Sequence, residues 1–122
     1  MHIRISIALL TALFAATAGA DAPGADAPTR NPEAGLQAVV RLGEANGLAL
    51  ACGANEAAAR AKQLMLLHAP RTSRFGVAFE QSTQSGYLGQ VKGSAPCPSA
   101  AEISVRIESI ALVLRKTLPA DE

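Results

Sequence analysis

The residues best equipped for chemistry in this chain are its two cysteines, Cys52 in "GLALACGANEAAARAK" and Cys97 in "KGSAPCPS". Three uses compete for them. Lipid attachment needs a cysteine directly behind the apolar core of a signal peptide. "LALAC" has the small residues for it but lies well past a better cleavage pattern, inside a helical stretch. Nucleophilic or redox chemistry needs a stabilised thiolate. Cys52 falls at the C-terminal end of a predicted helix, where the dipole disfavours negative charge. Cys97 precedes a helix start, the favourable pole, and is the better candidate for a reactive sulfur. Neither cysteine belongs to a CxxC pair or a CxxCH haem site. The third use is a Cys52–Cys97 disulfide, expected of two cysteines in an exported chain, and this is our reading.

Other catalytic material is thin. His68 is the one histidine outside residues 1–20, and its helical register puts it on an apolar face, packed and donating to exposed helix carbonyls. Glu102 and Glu108 share a helix at a spacing that does not give one face, and Glu102 has a capping role. The serines of "QSTQS" have no base nearby in sequence. No HxxxH or paired Cys/His set has metal-ligand spacing, and "GYLGQVKGS" lacks the P-loop pattern. We expect no metal and no cofactor, and the scarcity of catalytic groups weighs against an enzyme.

Positioning these residues falls to helices. Asn31-Pro32-Glu33 opens the first: asparagine caps, proline fits the first helical position, and glutamate suits the positive end of the dipole. Leu36, Val39, Val40, Gly43, Gly47, Leu50 and Ala51 follow at helical spacing. Asn46-Gly47 could be a turn, but the period runs on across it, so one helix is expected, kinked there at most. Gly43 and Gly47, one turn apart, leave a notch where a neighbour can approach. Gly53 ends that helix and Asn55 is placed to cap the next. The second carries Ala57, Ala61, Leu64, Met65 and His68 on one face until Ala69-Pro70 stops it.

A third helix is expected from Thr72 or Ser73, with Phe75 and Phe79 one turn apart and Tyr87 further on. Gly76, Gly86 and Gly89 weaken it. Around Ser82, Thr83 and Gly86 the expectation is a loosened helix meeting water; the alternative is a polar notch beside Phe79 and Tyr87. The fourth helix has the clearest start, because Ser99 and Glu102 have capping-box spacing. Ile103, Ile107, Ile110, Leu114 and Leu118 make its stripe, Arg115 and Lys116 suit its C-terminal end, and Pro119 closes it. The fold class is therefore all-α: a small bundle or irregular array of about four helices, stapled by one disulfide.

Residues 1–20 read as a signal peptide, with Arg4 before the apolar run "ISIALLTALFAATA" and Ala18-Gly19-Ala20 as the cleavage pattern. Export follows, to a periplasm if the host is bacterial, with no stable membrane insertion after cleavage. Residues 21–30 read as a flexible leader, 31–119 as one helical domain and 120–122 as a tail. Cleavage removes one cation, Arg4, and no acid, leaving ten of each and a net charge of zero. Nucleic-acid binding, which needs a basic surface to displace counterions, is not expected. The mature chain has no tryptophan and only Phe75, Phe79 and Tyr87 as aromatics, so its small aliphatic core needs the staple.

What is left is recognition. Val105 and Leu112 lie one heptad apart, opposite the main stripe of the fourth helix, and Leu66 points away from the face of His68. Either the bundle covers them or they meet a protein partner or a second copy. The leading expectation is an exported, non-catalytic helical protein that binds a partner or shields apolar surface in a chaperone-like way. One alternative is a thiol redox protein using Cys97. Another is a small-ligand carrier with its pocket near Phe79, Thr83 and Tyr87.

Overall fold

The computed structural model describes residues 30–120. The expected signal peptide and all but the last residue of the expected leader lie outside the described residues, as do the last two residues of the expected tail. Four helices follow in order: α1 (Pro32–Ala51), α2 (Asn55–His68), α3 (Ser73–Lys92) and α4 (Ala100–Thr117). The all-α reading holds, and so does the staple: Cys52 and Cys97 are bonded, with their Cα atoms 5.7 Å apart.

Local signals set most boundaries. Asn31 caps α1 by accepting the Ala34 N–H, with Pro32 in the first helical position. Ser99 and Glu102 complete both halves of the capping box of α4, at 3.1 and 2.8 Å. Gly53 takes φ +69° in the turn after α1, a conformation that costs a side-chain-bearing residue about 1–2 kcal/mol. One expectation holds and one needs correction. α1 runs unbroken through Asn46-Gly47, because both residues are buried against a neighbour and a turn would leave their backbone groups unpaired. Asn55 is the first residue of α2 rather than its cap. Ala54 holds the cap position and offers no side-chain bond; it is buried, while its N–H reaches back to Ala49 O at 2.8 Å.

α1 is the hub. It packs on all three other helices, α2 also meets α4, and α3 packs on α1 alone. Leu118 closes over Gly35, and the Asn31 N–H bonds Thr117 O at 2.8 Å. The start of α1 therefore lies beside the end of α4, and the two run antiparallel. Arg60 meets Glu108 and His68 meets Leu118, so α2 runs parallel to α4. The pairings of Glu33 with Arg74, Gly43 with Ser82 and Gly47 with Thr83 advance together, so α3 runs parallel to α1. The array is up-down-up-down, but its layers are unequal. Leu42, Leu64, Ile103, Ile107 and Leu114 fill the core of α1, α2 and α4, whereas α3 buries only Phe75 and Ser82.

A different principle holds α3. A Cβ on Gly47 would strike Thr83 O, one on Gly86 would strike Glu44 O, and one on Gly43 would come within 2.7 Å of Phe79 O. The two helices thus meet backbone to backbone through three missing side chains. Such proximity gains many small dispersion and Cα–H···O contacts. Ser82 fits beside Gly43 because its hydroxyl turns back on its own helix, donating to Ala78 O at 2.7 Å. The loosening expected around residues 82–86 is accordingly absent. Helix α3 is continuous there, and Ser82 is buried rather than hydrated.

Candidate functional site

α1 and α3 form a groove beside Phe79 and Tyr87 that is mainly apolar; of the residues weighed for a polar notch only Thr83 lines it, while Ser82 and Gly86 pack against α1. Asn46 and Leu50 come from α1, one turn apart. Phe79, Thr83 and Tyr87 come from α3, likewise on one face. Together with Lys62, Glu80 and Gln84 they line a groove of about 370 Å³. That volume lies within the roughly 300–1,000 Å³ usual for small-molecule sites. The three residues expected to line a pocket, Phe79, Thr83 and Tyr87, are brought together. Asn46 was read only as half of a turn dipeptide. The missed signal is that it falls between Gly43 and Leu50 on the same stripe, a polar residue on a face that must be buried.

Asn46 is 1 % exposed. Its Nδ2 donates to Thr83 Oγ1 at 3.1 Å, across the glycine contact, while its Oδ1 has no hydrogen-bond partner. Leaving a buried acceptor unpaired costs about 1–3 kcal/mol. No other buried side-chain oxygen or nitrogen among the described residues is left in this state. Tyr87 and Leu50, each 41 % exposed, form the outer wall.

The residues considered for catalysis are otherwise engaged. His68 is buried, with Nδ1 2.8 Å from Leu118 O. Since a carbonyl only accepts, Nδ1 carries the proton and the ring clamps the end of α2 to the end of α4. Glu108 takes Arg60 at 2.7 Å. The hydrogen bond from that guanidinium, reinforced by its charge and by Arg115, holds the Glu108 carboxyl below the usual carboxylate range, with partial burial opposing. The pair stabilises the fold above the unfolded-state carboxylate pKa, and the contribution is lost as pH falls through the lowered one. It is a strut between α2 and α4, worth little in water. Glu102 is committed to its cap. Cys97 is exposed but bonded to Cys52, so thiol chemistry there requires prior reduction. Gln90 Nε2 lies 3.6 Å from its sulfur. Among the described residues no group of three or more His, Cys, Asp or Glu could hold a metal ion, and no helix is long and apolar enough to cross a membrane.

The partner-binding candidates are not brought into this groove. Leu66, Val105 and Leu112 are 75, 68 and 57 % exposed, so the bundle does not cover them. Val105 and Leu112 share a face of α4 with Glu108 between them in register, while Leu66 is on α2. No protein-family model matches the chain, and no curated protein or solved structure is significantly similar to it.

Proposed function

We propose that this protein is an exported, non-catalytic binding protein that takes an apolar ligand into the groove between α1 and α3. One observation carries the reading: a buried amide oxygen without a partner, on Asn46, beside a groove whose apolar wall is made by Leu50, Phe79 and Tyr87. Apolar walls give affinity by burial, and a few fixed polar groups give orientation. A buried acceptor kept unpaired at a destabilising cost is expected where a ligand supplies the missing donor. Export is supported by the signal-like residues 1–20, and the disulfide suits an oxidising compartment.

Anilinonaphthalene sulfonate is expected to brighten with this protein and to bind one molecule per chain. Leu50→Glu puts a carboxylate into the wall at a half-exposed position, where the fold tolerates it. Dye affinity should fall at least about tenfold, a loss of about 1.4 kcal/mol. Unchanged binding by a folded Leu50→Glu variant contradicts the groove.

A second reading, capture of a protein partner or a second copy, is favoured by the uncovered Leu66, Val105 and Leu112. Exposed apolar side chains are common singly, so it ranks below the groove. Under it, Leu112→Asp abolishes self-association or partner capture, followed by sedimentation, while the helical circular dichroism stays intact. Capture that survives the substitution removes that surface from consideration.

A further inference from the structure

The groove has a spacing as well as a chemistry. Phe79 and Tyr87 are eight residues apart on one continuous helix, a separation of about 12 Å along its axis at 1.5 Å per residue. Thr83, bonded to Asn46, lies midway between them. Aromatic rings stack or meet edge to face with centroids about 4.5–7 Å apart. One ring inserted between two others needs roughly 9–14 Å from first to last, and the rise between the two backbone positions is of that order. Asn46, whose buried Oδ1 lacks a donor, lines the same groove.

Resting on the groove reading above, we infer that the ligand is a small aromatic molecule whose ring bears one hydrogen-bond donor, of the indole or phenol type. Its ring fills the gap between Phe79 and Tyr87, and its N–H or O–H donates to Asn46 Oδ1. The requirement for a donor follows from the unpaired atom being an acceptor. The requirement for an aromatic body follows from the two aromatic side chains that line one apolar groove. A single water would quiet the oxygen but takes only about 30 Å³, a small part of a groove of about 370 Å³. Because Asn46 is closed to solvent, the ligand reaches its oxygen only when the half-exposed Tyr87 swings aside and then closes again over the ring.

The test compares indole with 1-methylindole, which keeps the shape and lacks the N–H, on the full mature protein. The chain has no tryptophan and one tyrosine, so indole emission reports the ligand alone. Indole is expected to bind about tenfold more tightly than 1-methylindole, the upper range for one net hydrogen bond. In Asn46→Leu that preference should vanish while both still bind. The probe comparison on unaltered protein needs no variant, so it stands even if Asn46→Leu does not fold. Equal affinities for the two probes overturn the inference. Binding of the naphthalene dye but of neither indole nor phenol overturns the ligand class and leaves the groove reading intact; failure of the dye as well overturns both. A tryptophan-bearing nonapeptide that binds where free indole does not makes the occupant a protein segment, which also overturns the inference.

Discussion

Gly86→Ala is expected to lower the stability of this protein by about 3 kcal/mol, the upper range for overpacking a tight contact. The methyl would strike the carbonyl oxygen of Glu44, which belongs to a helix that cannot yield because it is packed on three sides. Helix α3 has to move as a body instead, losing the contacts of Gly43 and Gly47 together. The melting temperature should fall on the order of 15 °C, since 1 kcal/mol shifts a domain this small by about 4–8 °C. Gly89→Ala, three residues on in the same helix, should do the opposite. A Cβ there meets nothing within 4 Å, and replacing a helical glycine gains about 0.4–1 kcal/mol by restricting the unfolded chain. Opposite signs for the same change on one helix isolate the contact from helix propensity. Equal shifts for both variants, read in urea unfolding, would mean that α3 does not press on α1 as described.

Replacing both cysteines, Cys52→Ala with Cys97→Ala, is expected to remove about 4 kcal/mol. The bond closes a loop with a sequence separation of 45 residues, and the entropy of that closure in the unfolded chain gives the figure. For a domain whose whole stability is about 5–15 kcal/mol, the loss leaves little margin. It also falls unevenly. The bond ties the end of α1 to the segment that leads from α3 into α4, and α3 has no other helix than α1 to lean on. Amide exchange in the bond-free protein should therefore rise first in α3, with α1, α2 and α4 protected longer. An unchanged urea midpoint, or both sulfhydryls recovered free from the native protein by alkylation under non-reducing conditions, would contradict this assignment.

Elements with local, one-residue signals were legible in the sequence. Asn31 and Pro32 at the start of α1, and Ser99 with Glu102 at the start of α4, act through bonds within a single turn. Pattern alone shows such bonds. The cysteine pairing followed from there being only two. What pattern could not show was partnership. Gly43 and Gly47 marked a notch without naming α3 as its occupant. The glycines of α3 looked uniformly destabilising, although Gly86 is required by the backbone of α1 and Gly76 and Gly89 are not. The expectation that α3 loosens at Ser82 failed for the same reason: a small polar residue reads as solvent-facing until a glycine is placed opposite it. Asn46 was hidden by its own dipeptide, whose turn preference is real in isolation and is overridden by burial on both sides. Whether Val105 and Leu112 were covered depended on helix neighbours, which hydrophobic period does not encode.

The groove between α1 and α3 is tested most directly by an amide NMR spectrum of the labelled mature protein, recorded during titration with anilinonaphthalene sulfonate and then with indole. The shifts are expected to concentrate at residues 46–50 and 79–87, with the Asn46 side-chain amide moving for indole. Shifts centred on Leu66, Val105 and Leu112, with α1 and α3 silent, would contradict the account and transfer recognition to α2 and α4.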